Sequence, residues 1–383
     1  MAQQTFKILV LAGDHCGPEV MAQALRVLDV LEECRPNIKI ERTFDLVGGS
    51  SIDKHGVPIT DAVLQKASES DAVLFGSVGG PEWADAHPNP EAGILALRHK
   101  LDAFANLRPC EFLAPSLVEA SSIKPDVVRD TKFIVVRENC GGAYFGAKVE
   151  EADLASDSWA YTRREVERLS RVSAAVARIM GQSGSGKGQG GDSPATVWSA
   201  DKANVLASGR LWRRVTEEVF KSEFPDVPLQ HQLADSMAML MVKKPPMFNG
   251  VIHTDNTFGD ILSDISGGIV GTLGTLPSAS IAGVPGDGKC NGIYEPVHGS
   301  APDIAGQGIV NPVAQILSLA MMLRYSFLLV EEAACIEQAV RKTFDAKAAG
   351  GLEIRSRDMG GTAGTVEVGD AIVHEVRRLL QEQ

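Results

Sequence analysis

The chain has 383 residues, and its 49 acidic residues against 37 Lys and Arg give a formal net charge of −12. This acidic balance argues against nucleic acid or an anionic membrane as a partner, because both repel an acidic surface. The length predicts about two or three domains, and one of them can be discontinuous. A hydrophobic fraction of 44% is enough for a substantial core.

The cysteines and the first residues bear on the compartment. The six cysteines are scattered and form no CxxC pair, which is typical of a reducing compartment. Residues 6–11 read as a strand, without the basic lead and long apolar core of a signal peptide. No apolar stretch approaches the roughly 18 residues needed to cross a bilayer. We therefore expect a cytoplasmic protein.

Short apolar runs alternate with helical patterns along the chain. The first third contains predicted strands at residues 8–11, 38–44 and 72–75 and a helix at residues 18–31. The middle third contains predicted strands at residues 133–136, 196–199 and 250–253 and helices at residues 163–180, 206–220 and 257–265. Long helices follow at residues 313–329 and 366–380. This alternation predicts an α/β fold whose sheet is largely parallel.

One glycine-rich segment resembles a phosphate-binding loop. Gly181, Gly186 and Lys187 have Walker A spacing, and Gly186, Gly188 and Gly191 fit GxGxxG. A phosphate loop needs a strand before it and a helix after it, but here a helical pattern precedes and a strand follows. We therefore predict a surface linker over residues 181–194, with a nucleotide-binding loop as the alternative.

An acidic pair lies on one predicted helix. Asp260 and Asp264 are four residues apart, so both carboxylates project from the same face. Hard divalent cations such as Mg²⁺ and Mn²⁺ prefer oxygen ligands of this kind, although such a pair is also typical of a solvated helix face. A third acid, Asp235, opens another apolar helix. Its spacing fits either an N-cap or a third metal ligand.

Three arginines form a second candidate group, namely Arg98, Arg108 and Arg137. The planar guanidinium group matches a carboxylate in two-point fashion. Each arginine alone is compatible with an ordinary surface position. Together with a metal site, they favour a substrate that carries more than one carboxylate.

Two further residues could move protons. Tyr144 is flanked by glycines in the run GGAYFG, and Lys202 directly follows a predicted strand in DKANVL. Such positions place a phenol or an amine at the edge of a cleft, where it can act as an acid or a base. A packed aromatic and a surface lysine are the alternatives. The loop at residues 295–306 contains Asp303, whose carboxylate could accept hydrogen bonds from a ribose but not contact a 2′-phosphate.

These motifs together resemble the metal-dependent β-decarboxylating dehydrogenases, the isocitrate/isopropylmalate dehydrogenase family, in its fungal form. The resemblance runs nearly end to end, and FANLRP at residues 104–109, DKANVL at 201–206 and FGDILSD at 258–264 are specific blocks. The chain departs from the usual family pattern at His15-Cys16 and Asn139-Cys140. None of these four is a predicted catalytic residue.

The resemblance implies two α/β domains around a cleft, built on mixed and parallel sheets with flanking helices and without a GxGxxG Rossmann motif. The first, cofactor-binding domain would comprise residues 1–103 and 271–383. The second domain, for dimerisation and metal and substrate binding, would comprise residues 104–270 and include the linker at 181–194. The family is dimeric, so we expect a homodimer with shared active sites.

The resemblance also implies a function and its residues. The reaction would be oxidative decarboxylation of 3-isopropylmalate with reduction of NAD, in leucine biosynthesis. Asp260 and Asp264, with Asp235 of the other subunit, would hold Mg²⁺ or Mn²⁺. The three arginines would bind the substrate carboxylates, and Asp235 would also border the substrate. Lys202, also from the other subunit, would take the hydroxyl proton, and Tyr144 would protonate the product carbanion.

Specificity within the family is implied by two further groups of residues. Ile94, Leu95 and Val205 offer an apolar wall for an isopropyl group, worth about 1–3 kcal/mol of discrimination. The expected cofactor contacts are Glu295, His298, Gly299, Ser300, Ala301, Asp303 and Asn311. Asp303 followed by Ile304 matches the NAD pattern rather than the NADP pattern. A sister enzyme acting on isocitrate, homoisocitrate or tartrate, and a regulatory subunit without activity, are the alternatives.

Overall fold

The computed structural model describes residues 3–182 and 193–382. The strands in these residues are β1 (Gln4–Gly13), β2 (Ile38–Asp45), β3 (Ala72–Ser77), β4 (Ala105–Glu111), β5 (Lys132–Glu138), β6 (Lys148–Glu150), β7 (Ala155–Asp157), β8 (Val197–Asp201), β9 (Leu229–Leu233), β10 (Gly250–Thr254), β11 (Pro277–Ile281) and β12 (Gly292–Pro296). The α-helices in these residues are α1 (Cys16–Cys34), α2 (Gly49–His55), α3 (Asp61–Glu69), α4 (Glu91–Leu101), α5 (Pro125–Val128), α6 (Arg163–Gln182), α7 (Ala207–Glu223), α8 (Ala234–Lys243), α9 (Asn256–Val270), α10 (Val313–Tyr325), α11 (Val330–Phe344) and α12 (Thr365–Glu382).

Ten of the strands in the described residues form one sheet, in the order β2-β1-β3-β12-β11-β4-β5-β10-β8-β9. The two flanks of this sheet are parallel, whereas β11 runs antiparallel to both β12 and β4, and β4 runs antiparallel to β5. Strands β6 and β7 form a separate antiparallel hairpin. The expected mixed α/β architecture is confirmed.

The sheet divides along the chain at the pairing of β11 with β4. Strands from residues 1–103 and 271–383 form one half of the sheet, and strands from residues 104–270 form the other. Three residue pairs join the halves, with Ser280 opposite Asn106 in the middle. This arrangement fits the predicted interleaved domains, whose boundaries remain a prediction.

Alternating strand residues create cores on both faces of the sheet. Ile8 and Val10 of β1 pack with α1, α10 and α12, whereas Leu9 and Leu11 pack with α3 and α4. In the other half, the same alternation separates α6 and α7 from α8 and α9. Helix α10 is buried along its whole length. As a result, α4 and α9 lie on the same face of the sheet, opposite α6.

Most elements agree with the sequence pattern, and the differences have local reasons. Residues 313–329 are predicted as one helix, but α10 ends at Tyr325 and α11 begins at Val330. Ser326 hydrogen-bonds to the carbonyl oxygen of Cys290, and Leu328 has a φ of 57°, which a helix does not allow. Strands β4, β11 and β12 were not predicted because their prolines and small polar residues break the apolar pattern.

The glycine-rich segment lies mostly outside the described residues, because residues 183–192 are not described. Helix α6 ends before it at Gln182, and β8 begins after it at Val197. This order is the reverse of the strand and helix that flank a phosphate-binding loop. In the described part of the chain, no helix is both long and apolar enough to cross a membrane.

Candidate active site

The candidate site lies on the face of the sheet that α4 and α9 share. A cavity of about 140 Å³ opens there, between the ends of β3 and β12 and the arginines of α4 and β4. The predicted site residues that line this cavity are Ile94, Arg98, Arg108, Glu295, His298 and Gly299. The structure thus combines predicted substrate and cofactor residues in one place.

Arg98 extends from α4 towards the end of β12. Its guanidinium group donates to Glu295, with an N–O distance of 2.7 Å. The two side chains are 21% and 12% exposed, so solvent only partly screens this ion pair. A predicted substrate residue and a predicted cofactor residue therefore contact each other directly.

Arg108 connects β4 with α9. It donates to Ser263 at 2.8 Å and to Asp264 at 3.3 Å, while its Nε atom donates to Asn106 at 2.9 Å. Burial lowers the pKa of Arg108, and the neighbouring positive charge of Arg98 lowers it further. Two close guanidinium groups favour an anion between them, which fits a carboxylate substrate.

Arg137 is the penultimate residue of β5 and points towards α9 on the same face of the sheet. It donates to Asn256 from Nε at 3.0 Å and from Nη2 at 2.7 Å, and it forms an ion pair with Asp260. Burial, followed by the charge of Arg108, lowers its pKa to about 10. Asn256 thus fixes the orientation of the guanidinium group.

The acidic pair lies on α9 as predicted. Asp255 caps this helix by accepting a hydrogen bond from the backbone N–H of Phe258 at 2.9 Å. The side chain of Asp260 is 38% exposed and that of Asp264 is 74% exposed. Carboxylates that solvent and a bound cation can both reach fit a hard divalent metal.

Tyr144 lies in a single 3₁₀ turn, Gly142–Tyr144, opposite the acidic pair. Its hydroxyl donates to Asp260 at 2.9 Å, and its side chain is exposed. Partial burial, and after it the hydrogen bond to Asp260, raises the pKa of Tyr144. A phenol that stays protonated next to the predicted substrate arginines can serve as a proton donor.

Lys202, which directly follows β8, and Asp235 form a separate ion pair whose side chains are 24% and 66% exposed. Their N–O distance is 2.6 Å, and the hydrogen bond from Lys202 lowers the pKa of Asp235. Asp235 lies in the first turn of α8, whose N-cap is Leu233, so the N-cap prediction for Asp235 is wrong. Within residues 3–182 and 193–382 of one chain, no group of three metal-ligating side chains forms.

The predicted specificity residues lie at different depths. Ile94 is buried and lines the cavity, whereas Leu95 is 47% exposed and Val205 is 63% exposed. Val205 belongs to the same turn as Lys202, because the N–H of Val205 donates to the carbonyl oxygen of Lys202. The apolar wall in a single chain is therefore formed by Ile94, and the other two residues face outwards.

The predicted cofactor loop follows β12. Nδ1 of His298 contacts the carbonyl oxygen of Gly299, and its Nε2 atom is buried without a partner. Ala301 has a φ of 44°, and Asp303 is exposed. Asn311 donates to Asp358 at 3.1 Å. A buried ring nitrogen without a partner is a group that a bound cofactor could satisfy.

Of the residues that depart from the family pattern, Cys16 contacts this loop. The N–H of Cys16 donates to the carbonyl oxygen of Ser300 at 3.0 Å, and its thiol lies 3.5 Å from the carbonyl oxygen of Gly299. Nε2 of His15 lies 3.2 Å from Glu82. Cys16 therefore packs directly under the predicted cofactor loop.

Several residues that support the site were not predicted from the sequence. Asn106 and Asn256 orient the arginines, and Asp14 accepts hydrogen bonds from the N–H groups of Gly49, Ser50 and Gly79. A buried aspartate that receives three such bonds holds the loops after β1, β2 and β3 together. Its position directly after an apolar strand is the one sequence signal that pointed to it.

Comparisons with known proteins agree with this geometry. The sequence model described as "Isocitrate/isopropylmalate dehydrogenase" matches residues 7–372. A 3-isopropylmalate dehydrogenase from Hapsidospora chrysogena is 68% identical over 378 residues, covering 98% of each chain. One from Schizosaccharomyces pombe is 48% identical, covering 98% of this chain and 99% of the relative.

Solved structures give the same result. A β-decarboxylating dehydrogenase from Thermococcus kodakarensis has a TM-score of 0.78 at 32% identity, covering 98% of this chain and 97% of its own. An isocitrate dehydrogenase from Methylococcus capsulatus has a TM-score of 0.78 at 28% identity, covering 97% and 99%. The chain therefore belongs to the isocitrate/isopropylmalate dehydrogenase family.

Proposed function

We propose that the chain catalyses the oxidative decarboxylation of 3-isopropylmalate to 4-methyl-2-oxopentanoate with NAD, a step of leucine biosynthesis. The observation that carries this proposal is the convergence of Arg98 and Arg108 on one cavity beside Ile94, with Arg137 and two α9 carboxylates next to it. Relatives named 3-isopropylmalate dehydrogenase, at 48–68% identity, support this choice.

The substrate would be bound through its carboxylates and through its isopropyl group. The three arginines bind the two carboxylates, and two-point hydrogen bonds fix their orientation. Ile94 contacts the isopropyl group, and we propose that Leu95 and Val205 complete this wall when a second subunit is present. An apolar wall of this kind disfavours the third carboxylate of isocitrate.

The carboxylates of α9 fit a divalent metal ion, and the loop after β12 fits NAD, the cofactors of this family. Asp260 and Asp264, with Asp235 of the second copy, would hold Mg²⁺ or Mn²⁺. NAD would bind along the loop of residues 295–303, with Asp303 at the adenosine ribose and His298 and Asn311 nearby. When bound, the metal polarises the substrate oxygen and the nicotinamide accepts a hydride.

The protein's own groups would move two protons. The amine of Lys202 takes the proton from the C2 hydroxyl of the substrate, while the arginines keep the carboxylates in place. After carbon dioxide leaves, the hydroxyl of Tyr144 returns a proton to the carbon that carried it. The hydrogen bond from Tyr144 to Asp260 supports this role, because it holds the phenol at the acidic pair.

We propose a homodimer in which the two copies share the active sites. Asp235, the ion-pair partner of Lys202, is exposed in one chain, together with apolar side chains on α8 and α9, Met239, Val242 and Ile261. The β6–β7 hairpin also exposes Val149. A second copy that covers these groups would bring Lys202 and Asp235 to the other chain's α9. We further propose a cytoplasmic location, since the cysteines of the described residues are all free.

A substrate assay tests the proposal. Purified protein with NAD and Mg²⁺ should produce NADH from 3-isopropylmalate faster than from isocitrate, homoisocitrate or tartrate, and faster than it produces NADPH from NADP. Faster turnover of one of the other acids would instead support a sister enzyme. Absence of turnover with all four acids would support the regulatory subunit, which the presence of every predicted catalytic residue disfavours.

A further inference from the structure

Arg168 on α6 lies outside the candidate site but contacts both sides of it. Its Nη1 atom donates to both carboxylate oxygens of Asp102, at 2.9 and 3.1 Å, and its Nη2 atom donates to Glu138 at 3.2 Å. Its guanidinium group also lies 4.3 Å from the ring centre of Phe104. One side chain thus bridges two segments near the predicted domain crossing at residue 103.

The first segment controls α4. Asp102 is the C-cap of this helix, in a left-handed conformation with φ of 48°. The N–H of the next residue, Ala103, donates to the carbonyl oxygen of Arg98 at 2.9 Å. Asp102 is therefore one helical turn from the substrate arginine. A shift of its carboxylate should move the end of α4.

The second segment controls the loop that carries Tyr144. Glu138 follows Arg137 in β5, and because adjacent strand residues point to opposite faces, Glu138 faces α6 while Arg137 faces α9. Its fully buried carboxylate accepts hydrogen bonds from the N–H groups of Cys140 and Gly141. The carbonyl oxygen of Gly141 accepts in turn from Asn256, which orients Arg137.

We propose that Arg168 is a positioning residue that holds α4 and the Tyr144 loop in register across the domain crossing, and so sets the affinity for the dicarboxylate substrate. A guanidinium group suits this role because its fork reaches two carboxylates in fixed directions, which an ammonium group cannot do. The inference rests on the proposed function, since it concerns the same substrate arginines. It predicts an effect on substrate binding rather than on NAD binding.

The test compares Arg168→Gln with Arg171→Gln on the same helix. Arg171 forms an equally close two-point pair, with Glu223 at 2.8 Å, but that pair lies away from α4. We expect Arg168→Gln to raise KM for 3-isopropylmalate about tenfold, with a smaller fall in kcat because the Tyr144 loop is released as well, while KM for NAD changes less than about twofold. Arg171→Gln should match the wild type, and Arg168→Lys should give an intermediate KM.

A double-mutant cycle separates positioning from a general structural role. Asp102→Asn changes an exposed side chain, so the variant should fold even if Arg168→Gln does not, and it should raise the same KM. In the Arg168→Gln background, Asp102→Asn should add nothing. The proposal would be overturned if the effects of the two substitutions on KM for 3-isopropylmalate were additive. It would also be overturned if KM for NAD changed as much as KM for 3-isopropylmalate, or if Asp102→Asn left KM for 3-isopropylmalate unchanged.

Failure of the proposed function would be visible separately. It would appear in the wild-type enzyme, as preference for another 2-hydroxy acid. The ratio of variant to wild-type KM would then be measured with that acid. Failure of the positioning role would appear only in the ratio of variant to wild type.

Discussion

Three buried titratable side chains of this protein have strongly shifted pKa values. Glu138 and Asp255 are buried carboxylates whose pKa values burial raises to about 7. His253 is a fully buried imidazole, between Ser173 at 3.0 Å and Thr216 at 3.2 Å. Burial lowers its pKa from 6.5 to about 3, so it stays neutral in the folded protein.

His253 should make the stability of the protein depend on pH. In the unfolded chain it binds a proton below about pH 6.5, whereas in the folded chain it does not, so its contribution to stability falls as the pH falls through that range. Between about pH 7 and about pH 5, this one group should cost about 2 kcal/mol of unfolding free energy. In urea titrations, the free energy of unfolding of His253→Gln minus that of the wild type should therefore rise by about 2 kcal/mol over the same range.

His99→Gln is the control for this experiment, because His99 is exposed. It should reproduce the pH dependence of the wild type. An equal pH dependence in His253→Gln and the wild type would show that His253 does not remain neutral in the folded protein.

At the scale of elements, helix α9 combines ligand positions with close packing against Arg137. A methyl group built on Gly259 would lie 2.5 Å from Cγ of Arg137, whereas a methyl group on Gly268 would meet no atom within 4 Å. The two glycines therefore serve different purposes in the same helix. Gly259 leaves room for a substrate arginine, and Gly268 is merely a weak helix former.

Alanine at Gly259 should impair substrate binding, whereas alanine at Gly268 should only increase stability. Gly259→Ala should displace Arg137 and raise KM for the substrate about tenfold or more. Gly268→Ala should leave KM unchanged and stabilise the protein by about 0.5–1 kcal/mol, as expected for an exposed helical glycine. Steady-state kinetics and thermal unfolding of both variants measure this, and an unchanged KM in Gly259→Ala would contradict the packing argument.

The sequence predicted the apolar elements of this fold better than the central ones. Strands such as β1, β5 and β10 are runs of Ile, Val and Leu, and their burial follows from composition. In strand β4, the amide of Asn106 donates to the hydroxyls of Ser278 and Ser280 in β11, and these polar pairs have no local pattern. The site motifs could be predicted from residue type and spacing. The side chains that hydrogen-bond to them could not, because such contacts join residues about 170 positions apart.

At the scale of the whole molecule, the proposed sharing of active sites predicts how mixed dimers behave. In the proposed dimer, a chain with Lys202→Met lacks the base for its partner's site, and a chain with Asp264→Asn lacks a metal ligand in its own. Each variant alone should be nearly inactive. When the two are unfolded and refolded together in equal amounts, one site in each mixed dimer is intact, so about a quarter of wild-type activity should return.

Two controls belong to this experiment. Mixing the folded variants without unfolding should restore little activity if the subunits exchange slowly. Refolding Lys202→Met with Lys202→Met should restore none. No recovery in the mixed sample would contradict shared active sites.

The interleaved sheet also constrains how the molecule is made. Strand β3 pairs on one side with β1, which is synthesised earlier, and on the other with β12, which is synthesised about 215 residues later. Until the ribosome has made the last third of the chain, the N-terminal strands present an open edge that invites pairing with other chains. Nascent chains truncated before β11 should therefore depend on chaperones far more than chains released after β12.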